Sequence, residues 1–268
     1  VLKVKNPTVL IKQPQTMGQP KVLNIPQNPI GDKTFPIVPT VIVDNFFSED
    51  EIDFIKSFID NYPERNTAHS GTEPTKPSNF IERNILSFDE SLEYEDVNEL
   101  VHGRIKQKLH PSTVIGSWQI LTQFFPYRAH SNAIYGEYKW DENHYAAWTL
   151  IIPLDTFDSR TIIFNEYSYK TKLVPEFIEN RTPVNKIDDE TYEKYLTLES
   201  PDSMKYFSIE DIVKWEKSKG IAISRYKFHA DDNFLKYKLP YKQAIIAWTA
   251  LPNYVDLERK SKDVTFLP

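Results

Sequence analysis

The sequence predicts a mixed α+β protein, with helices from its N-terminal half packed against a β-sandwich or barrel. Three observations predict it. Apolar residues recur at helical spacing in two segments before residue 110. From residue 113 onward they gather instead in short β-rich runs separated by turn signals. No G-x-G-x-x-G or Walker pattern marks a nucleotide-binding parallel sheet, and the chain has only seven glycines against nineteen prolines.

The elements follow in order. Residues 1–39 hold seven of the nineteen prolines, which predicts an extended arm that wraps the body or reaches a neighbouring chain, a route to an oligomer. "TVIVDNFF" (40–47) reads as a strand. Ser48 and Glu51 then form an S-x-x-E capping box ahead of Ile52, Phe54, Ile55, Phe58 and Ile59, an amphipathic helix. Residues 61–80 are polar and read as a loop. A second helix is predicted over 95–109, where Val97, Leu100, Val101, Ile105 and Leu109 form one stripe. The β segments are "TVIGSWQILTQFF", "AAWTLIIPL", "RTIIFNEYSY", "IAISRYKFHA" and "YKQAIIAWTA". Between them lies a charged insertion around 172–219 that reads as helical. Its last part, "SIEDIVKWEKSKG", opens with Ser208 and Asp211 as a cap and closes at Gly220. There is no internal repeat, so residues 40–268 read as one domain behind the arm.

Bulk properties exclude several chemistries. With no cysteine, there is no disulfide, thiolate-bound metal, iron–sulfur cluster or thiol nucleophile. A net charge of −6 argues against gripping duplex nucleic acid, which needs concentrated Lys and Arg. No apolar run reaches the roughly 18 to 20 residues of a bilayer-crossing helix, and no basic-then-apolar signal segment opens the chain. A soluble, cytoplasmic protein is the expectation.

Six histidines stand at 69, 102, 110, 130, 144 and 229. His69 lies in a polar stretch, His102 on a helix and His110 before a proline, positions that need no special account. His130 and His229 each end a β segment, and the strands between them would bring those ends together in a barrel. His130 opens the motif His-x-Asn with Asn132.

From about residue 37 to 250 the chain resembles the iron(II)- and 2-oxoglutarate-dependent oxygenases, prolyl hydroxylases among them. "VIVDNFFSEDEIDFI" is similar to that family's first strand and helix. "PYRAHSNA" with "TLIIPL" and "TIIFNE" resembles its first ligand turn and the strands after it. "WEKSKGIAISRYKFHADDNF" resembles the approach to the second ligand histidine, and "YKQAIIAWT" the final strand. The chain is also similar to oxygenase-like proteins encoded by bacteriophages, which would place it in an infected host cell. The resemblance implies a double-stranded β-helix, a jelly-roll or cupin-like barrel, with Fe(II) and 2-oxoglutarate as cofactors. It implies His130 and His229 as metal ligands, Asn132 at the third ligand position, and Lys242 as the cation that meets the far carboxylate of the cosubstrate. Lys238 is the reserve candidate for that last role. Two neutral imidazoles and a carboxylate on one face of iron leave three positions open, two for 2-oxoglutarate and one for dioxygen. The reaction implied is hydroxylation of a C–H bond.

The departure from the family is Asn132, which stands where the family has an acid. Its amide oxygen coordinates without a charge. A unit charge about 4 Å from a dication is worth roughly 8 kcal/mol at an effective dielectric near 20, before desolvation, so weaker iron binding is the expectation. Three outcomes are open: an oxygenase with a neutral third ligand, a site that accepts halide, or a barrel that has lost its metal and serves as a binding or structural module. Asp141 or Glu142 could supply an acid from the next loop. Asp231 could do so from "HADD", where His229-x-Asp231 is a literal His-x-Asp in reversed order; otherwise Asp231 and Asp232 shape a turn. Loops at 61–80, 133–146 and 165–205 would form the entrance. In the second of these Tyr135, Tyr138, Trp140 and Tyr145 could pack around a ligand, or be ordinary members of a chain that is 13% aromatic. Protein side chains, nucleobases and small metabolites are all open as substrates, with a small molecule or a protein side chain as the expected class.

Overall fold

The computed structural model describes residues 36–61, 66–69, 82–87, 94–132, 141–168, 187–255, 257, 259–260 and 266–267. Most of the proline-rich arm, the aromatics Tyr135, Tyr138 and Trp140, and residues 172–186 of the insertion lie outside them.

The chain begins with β1 (Pro36–Ile37) and β2 (Val41–Val43), followed by α1 (Glu49–Asn61). The capping box forms as its spacing predicts. Ser48 N donates to Glu51 Oε2 at 2.8 Å, and Glu51 N donates to Ser48 Oγ at 3.3 Å. β3 (Asn66–His69) and β4 (Glu82–Ser87) lead to α2 (Glu95–Lys108). The predicted loop at 61–80 therefore contains a strand. Its sequence, Asn-Thr-Ala-His, carries no apolar alternation, and among the described residues β3 is an edge strand paired with β4 alone.

β5 (Val114–Gln123), β6 (His144–Pro153) and β7 (Arg160–Ser168) come next, then α3 (Asp189–Tyr195) and α4 (Pro201–Met204). β8 (Ile209–Lys214) corrects the helix expected over 208–220. Isoleucine and valine at 209, 212 and 213 favour a strand, and a bulge against β7 lets the segment serve both sides. Ile209 and Ile212 face one core, Val213 and Trp215 another. Ser208, read as a cap, instead donates its N–H and hydroxyl to Glu166. The remaining strands are β9 (Gly220–Ser224), β10 (Lys227–Asp231), β11 (Lys242–Pro252), β12 (Arg259–Lys260) and β13 (Phe266–Leu267).

Seven strands form one antiparallel sheet in the order β2-β9-β6-β11-β5-β4-β3. A smaller sheet is centred on β7, flanked by β10 on one edge and by β8 and β13 on the other. Alternation along each strand sends side chains to two faces. On one face of the large sheet Trp118, Ile120, Leu150, Ile152, Ala222, Ile245 and Ala247 pack with Ile52 and Ile55 of α1 and Val97, Val101 and Ile105 of α2. On the other, Ile151, Ile221, Ile223 and Ala244 meet Ile163 and Val213 of the small sheet. The far side of the small sheet, through Ile162, Phe164 and Phe228, is covered by Leu196, Met204 and Phe207 from the α3–α4 region. The result is layered: helices, large sheet, small sheet, short helices. Tyr145, read from sequence as an entrance aromatic, belongs to the core beneath the helices, and its hydroxyl donates to Val255 O at 3.2 Å. Its place on β6 decides this.

Candidate metal centre

His130 and His229 meet across a strand edge. His130 N donates to His229 O, and His229 N to His130 O, both at 2.9 Å, an isolated antiparallel bridge. Residues directly opposed in this way put their side chains on the same face. Their imidazole centroids are 4.5 Å apart. Asn132 follows His130 by two residues, the strand period, and its side chain reaches the same place: Asn132 Nδ2 donates to His229 Nε2 at 3.1 Å. Strand pairing thus assembles three side chains from two segments 97 residues apart.

Each ring is oriented by a carbonyl two residues before it. His130 Nδ1 lies 2.7 Å from Arg128 O, and His229 Nδ1 lies 3.2 Å from Lys227 O. A carbonyl only accepts, so both Nδ1 atoms carry the proton, and in the neutral rings the lone pairs sit on Nε2. Burial, then the neighbouring imidazole of His130, pushes His229 down to about 3, against the opposing pull of the Lys227 carbonyl. His229 is therefore neutral at physiological pH, the form that ligates. It is 4% exposed, whereas His130 and Asn132 are half-buried, so the trio has a buried side and an open side.

The surroundings hold the turn. Arg225, pushed down to about 10 by burial, donates from Nε and Nη2 to Asn132 O at 3.3 and 3.1 Å. Glu199 Oε1 accepts from Ala129 N at 2.5 Å, and burial raises Glu199 to about 7. Neither residue was singled out by sequence reasoning. A lone acid or arginine in a charged stretch carries no signal of burial, and both depend on distant segments.

The other candidates lie elsewhere. Lys242 is fully buried on the inner face of β11, with Nζ 2.5 Å from Asp231 Oδ1, 3.3 Å from Ser159 Oγ and 3.7 Å from the Trp215 ring centroid. Asp231 is thereby an ion-pair partner, and its Oδ2 also accepts from Tyr127 N at 2.7 Å and from Gln123 Nε2. Lys238 caps a 3-10 turn (Phe234–Tyr237) at the surface, with φ of 59°. Asp141 is exposed and binds His144 in its own turn, while Glu142 offers its carbonyl to Asn253. Among the described residues, no group of three or more His, Asp or Glu could hold a metal ion. Any site here has two imidazoles and an amide.

That donor set passes a distance test. Two ligands at right angles with bonds of about 2.1 Å stand about 3 Å apart. Turning the Asn132 amide by half a revolution puts Oδ1 where Nδ2 now sits, 3.1 Å from His229 Nε2.

No family model matches the chain, and no curated protein matches it. Solved structures do resemble it. The epimerase SnoN, in complex with Fe3+, alpha-ketoglutarate and a nogalamycin, is 11% identical, with 79% of this chain and 78% of that one covered at a TM-score of 0.49. The viral collagen prolyl hydroxylase of Paramecium bursaria Chlorella virus-1 is 10% identical, over 79% and 95%, at 0.41. HygX of Streptomyces hygroscopicus, with nickel, 2-oxoglutarate and hygromycin B, is 9% identical, over 83% and 86%, at 0.40.

No helix among the described residues is long and apolar enough to cross a membrane.

Proposed function

We propose that the chain is a non-haem iron(II)- and 2-oxoglutarate-dependent oxygenase whose two sheets are the halves of a double-stranded β-helix. The observation that carries this is the opposed pair His130 and His229, each with Nδ1 fixed by a carbonyl, beside an amide 3.1 Å from His229 Nε2. In this reading His130 Nε2, His229 Nε2 and Asn132 Oδ1 hold the iron. Lys242, on the inner face, is the candidate partner for the far carboxylate of the cosubstrate, a position at which it already holds Asp231. Iron bound there with a 2-oxo acid would reduce dioxygen, splitting the 2-oxo acid into a shortened carboxylate and carbon dioxide and supplying the oxidant for a substrate C–H bond. The protein's part is to aim both rings, through the Arg128 and Lys227 carbonyls, and to hold the His-x-Asn turn through Arg225. The half-buried side of the trio faces the substrate, a small molecule or a protein side chain.

One observation favours a second reading, a non-catalytic binding module on the same scaffold. Asn132 presents its N–H, not its oxygen, to His229, and so closes the ring of donors without a cation.

Anaerobic titration with Fe(II) separates the two. The oxygenase reading expects one iron per chain, lost in His130→Ala and His229→Ala, and succinate from 2-oxoglutarate in air. It also expects Asn132→Asp to bind iron at least about tenfold tighter, since part of the charge–dication attraction survives desolvation. No iron in wild type or in Asn132→Asp would leave the binding module.

A further inference from the structure

The inner face carries a second polar constellation. Lys242 is 0% exposed and Asp231 8% exposed, and the pair joins the last strand of the large sheet to the strand that bears His229. Asp231 follows His229 by two residues on one strand, so both side chains point to the same face about 7 Å apart. The space around the ammonium is filled. Asp231 Oδ1 lies at 2.5 Å and Ser159 Oγ at 3.3 Å, and the faces of Trp215 and Phe234 close the other sides at 3.7 and 5.0 Å. Asp231 is itself anchored from the large sheet and the His130 segment, by Gln123 Nε2 and Tyr127 N. Ser159 is tied to the next carboxylate, because its hydroxyl donates to Asp232 Oδ1 at 3.0 Å.

We propose that Asp231 is a built-in competitor for the far carboxylate of the cosubstrate. It occupies the charge-pairing position of Lys242, so the site gives a 2-oxo dicarboxylate no preference over a 2-oxo acid with an uncharged tail. This rests on the metal reading above and deepens it: Asp231 sets the specificity for the 2-oxo acid. A 2-oxo acid uses its oxo and adjacent carboxylate groups at the metal and its tail at the lysine. With the lysine already paired, a second carboxylate gains an ion pair only by displacing Asp231 Oδ1 from the ammonium, while Gln123 and Tyr127 hold Oδ2 in place, and so leaves Asp231 buried without a cation. A short uncharged tail stops short of the lysine and displaces nothing.

The test is isothermal titration of the full chain with Mn(II) as the metal, comparing 2-oxoglutarate with 2-oxobutyrate. In wild type the two affinities should agree within about tenfold, because the distal carboxylate finds no unshared cation. A preference for 2-oxoglutarate beyond that overturns the proposal without any variant. Asp231→Asn should tighten 2-oxoglutarate by about tenfold or more and leave 2-oxobutyrate unchanged. The double variant D231N/K242M should lose that gain. An unchanged 2-oxoglutarate affinity in D231N, or a gain that persists in the double variant, overturns it. If neither wild type nor D231N binds Mn(II), the metal reading falls, and titration of metal-free protein with glutarate decides the present point. Binding to D231N but not to wild type supports it, and equal behaviour overturns it.

Discussion

The two faces of the seven-stranded sheet are built to different rules. β11 shows this residue by residue: Ile245 and Ala247 turn toward the helices into an apolar layer, while Lys242 and Ala244 turn toward the small sheet. The helix side is held by area removed from water and close packing. The other side is apolar in its middle and ends in a buried lysine, an aspartate and a glutamine. An apolar pair in place of a buried ion pair is commonly neutral or better for stability. Among the described residues, the buried pair Lys242 and Asp231 stands on this face of the large sheet. The histidine bridge lies on that side.

The largest expected effect tests this contrast directly. Asp231→Ala leaves Lys242 buried without its carboxylate and should cost about 3–5 kcal/mol. Replacing both partners with apolar residues, Asp231→Leu with Lys242→Met, should restore most of that stability. On the helix side Ile245→Ala should cost about 2–5 kcal/mol through the cavity it leaves. Urea unfolding measures all three. Recovery in the double variant separates an orphaned charge from lost packing, and a double variant as unstable as Asp231→Ala would erase the distinction between the faces.

Much of the scaffold was legible in the sequence. The capping box, the stripes of α1 and α2 and the β-rich runs that became β5, β6, β7 and β11 are local patterns, and local physics decides them. "IAISRYKFHA" was legible as β but not as two strands, because the break at Arg225 and Tyr226 lies between β9 in one sheet and β10 in the other. "SIEDIVKWEKSKG" misled because its polar residues fit a helix surface as well as a strand edge, and only pairing with β7 selects the strand. The site divides in the same way. His130 and Asn132 are two apart in sequence, but their meeting with His229 depends on a long-range bridge. The role of Asp231 was hidden for a related reason. Beside His229 it reads as a ligand, and the lysine that claims it is eleven residues further along the chain.

A second difference between the regions is pH sensitivity. Two buried acids flank the small sheet. Burial raises Glu166 to about 7 against two hydrogen bonds from Ser208, and raises Glu199 to about 7 against the Ala129 N–H. Their folded pKa values lie above the unfolded one. Their contribution is fully present below about pH 4.5 and is lost as pH rises through about 7. Each can remove up to about 3 kcal/mol between pH 5 and pH 8. Glu199→Gln keeps the acceptor for Ala129 and abolishes the titration. It should match wild type at pH 5 and exceed it at pH 8 in thermal unfolding. An identical pH slope in the two proteins would show that Glu199 is solvated rather than buried.

The smallest effect probes close packing on the helix-side face. Gly220 opens β9, and a Cβ added there would lie inside the van der Waals envelope of the Phe46 ring, which is itself fully buried. Phe46 has little room to retreat. Its N–H donates to Ser218 O at 2.7 Å, and Ser218 Oγ both accepts from Phe47 N and donates to Phe47 O. Gly220→Ala should therefore cost about 1–3 kcal/mol by overpacking, despite the higher strand propensity of alanine. Reducing the ring in the same chain, Phe46→Leu with Gly220→Ala, should return part of that loss, whereas Phe46→Leu alone should only destabilise. A positive coupling between the two positions in a double-mutant cycle is the signature of steric fit. Simple additivity would mean that this face tolerates crowding, and the contrast with the inner face would then rest on charge alone.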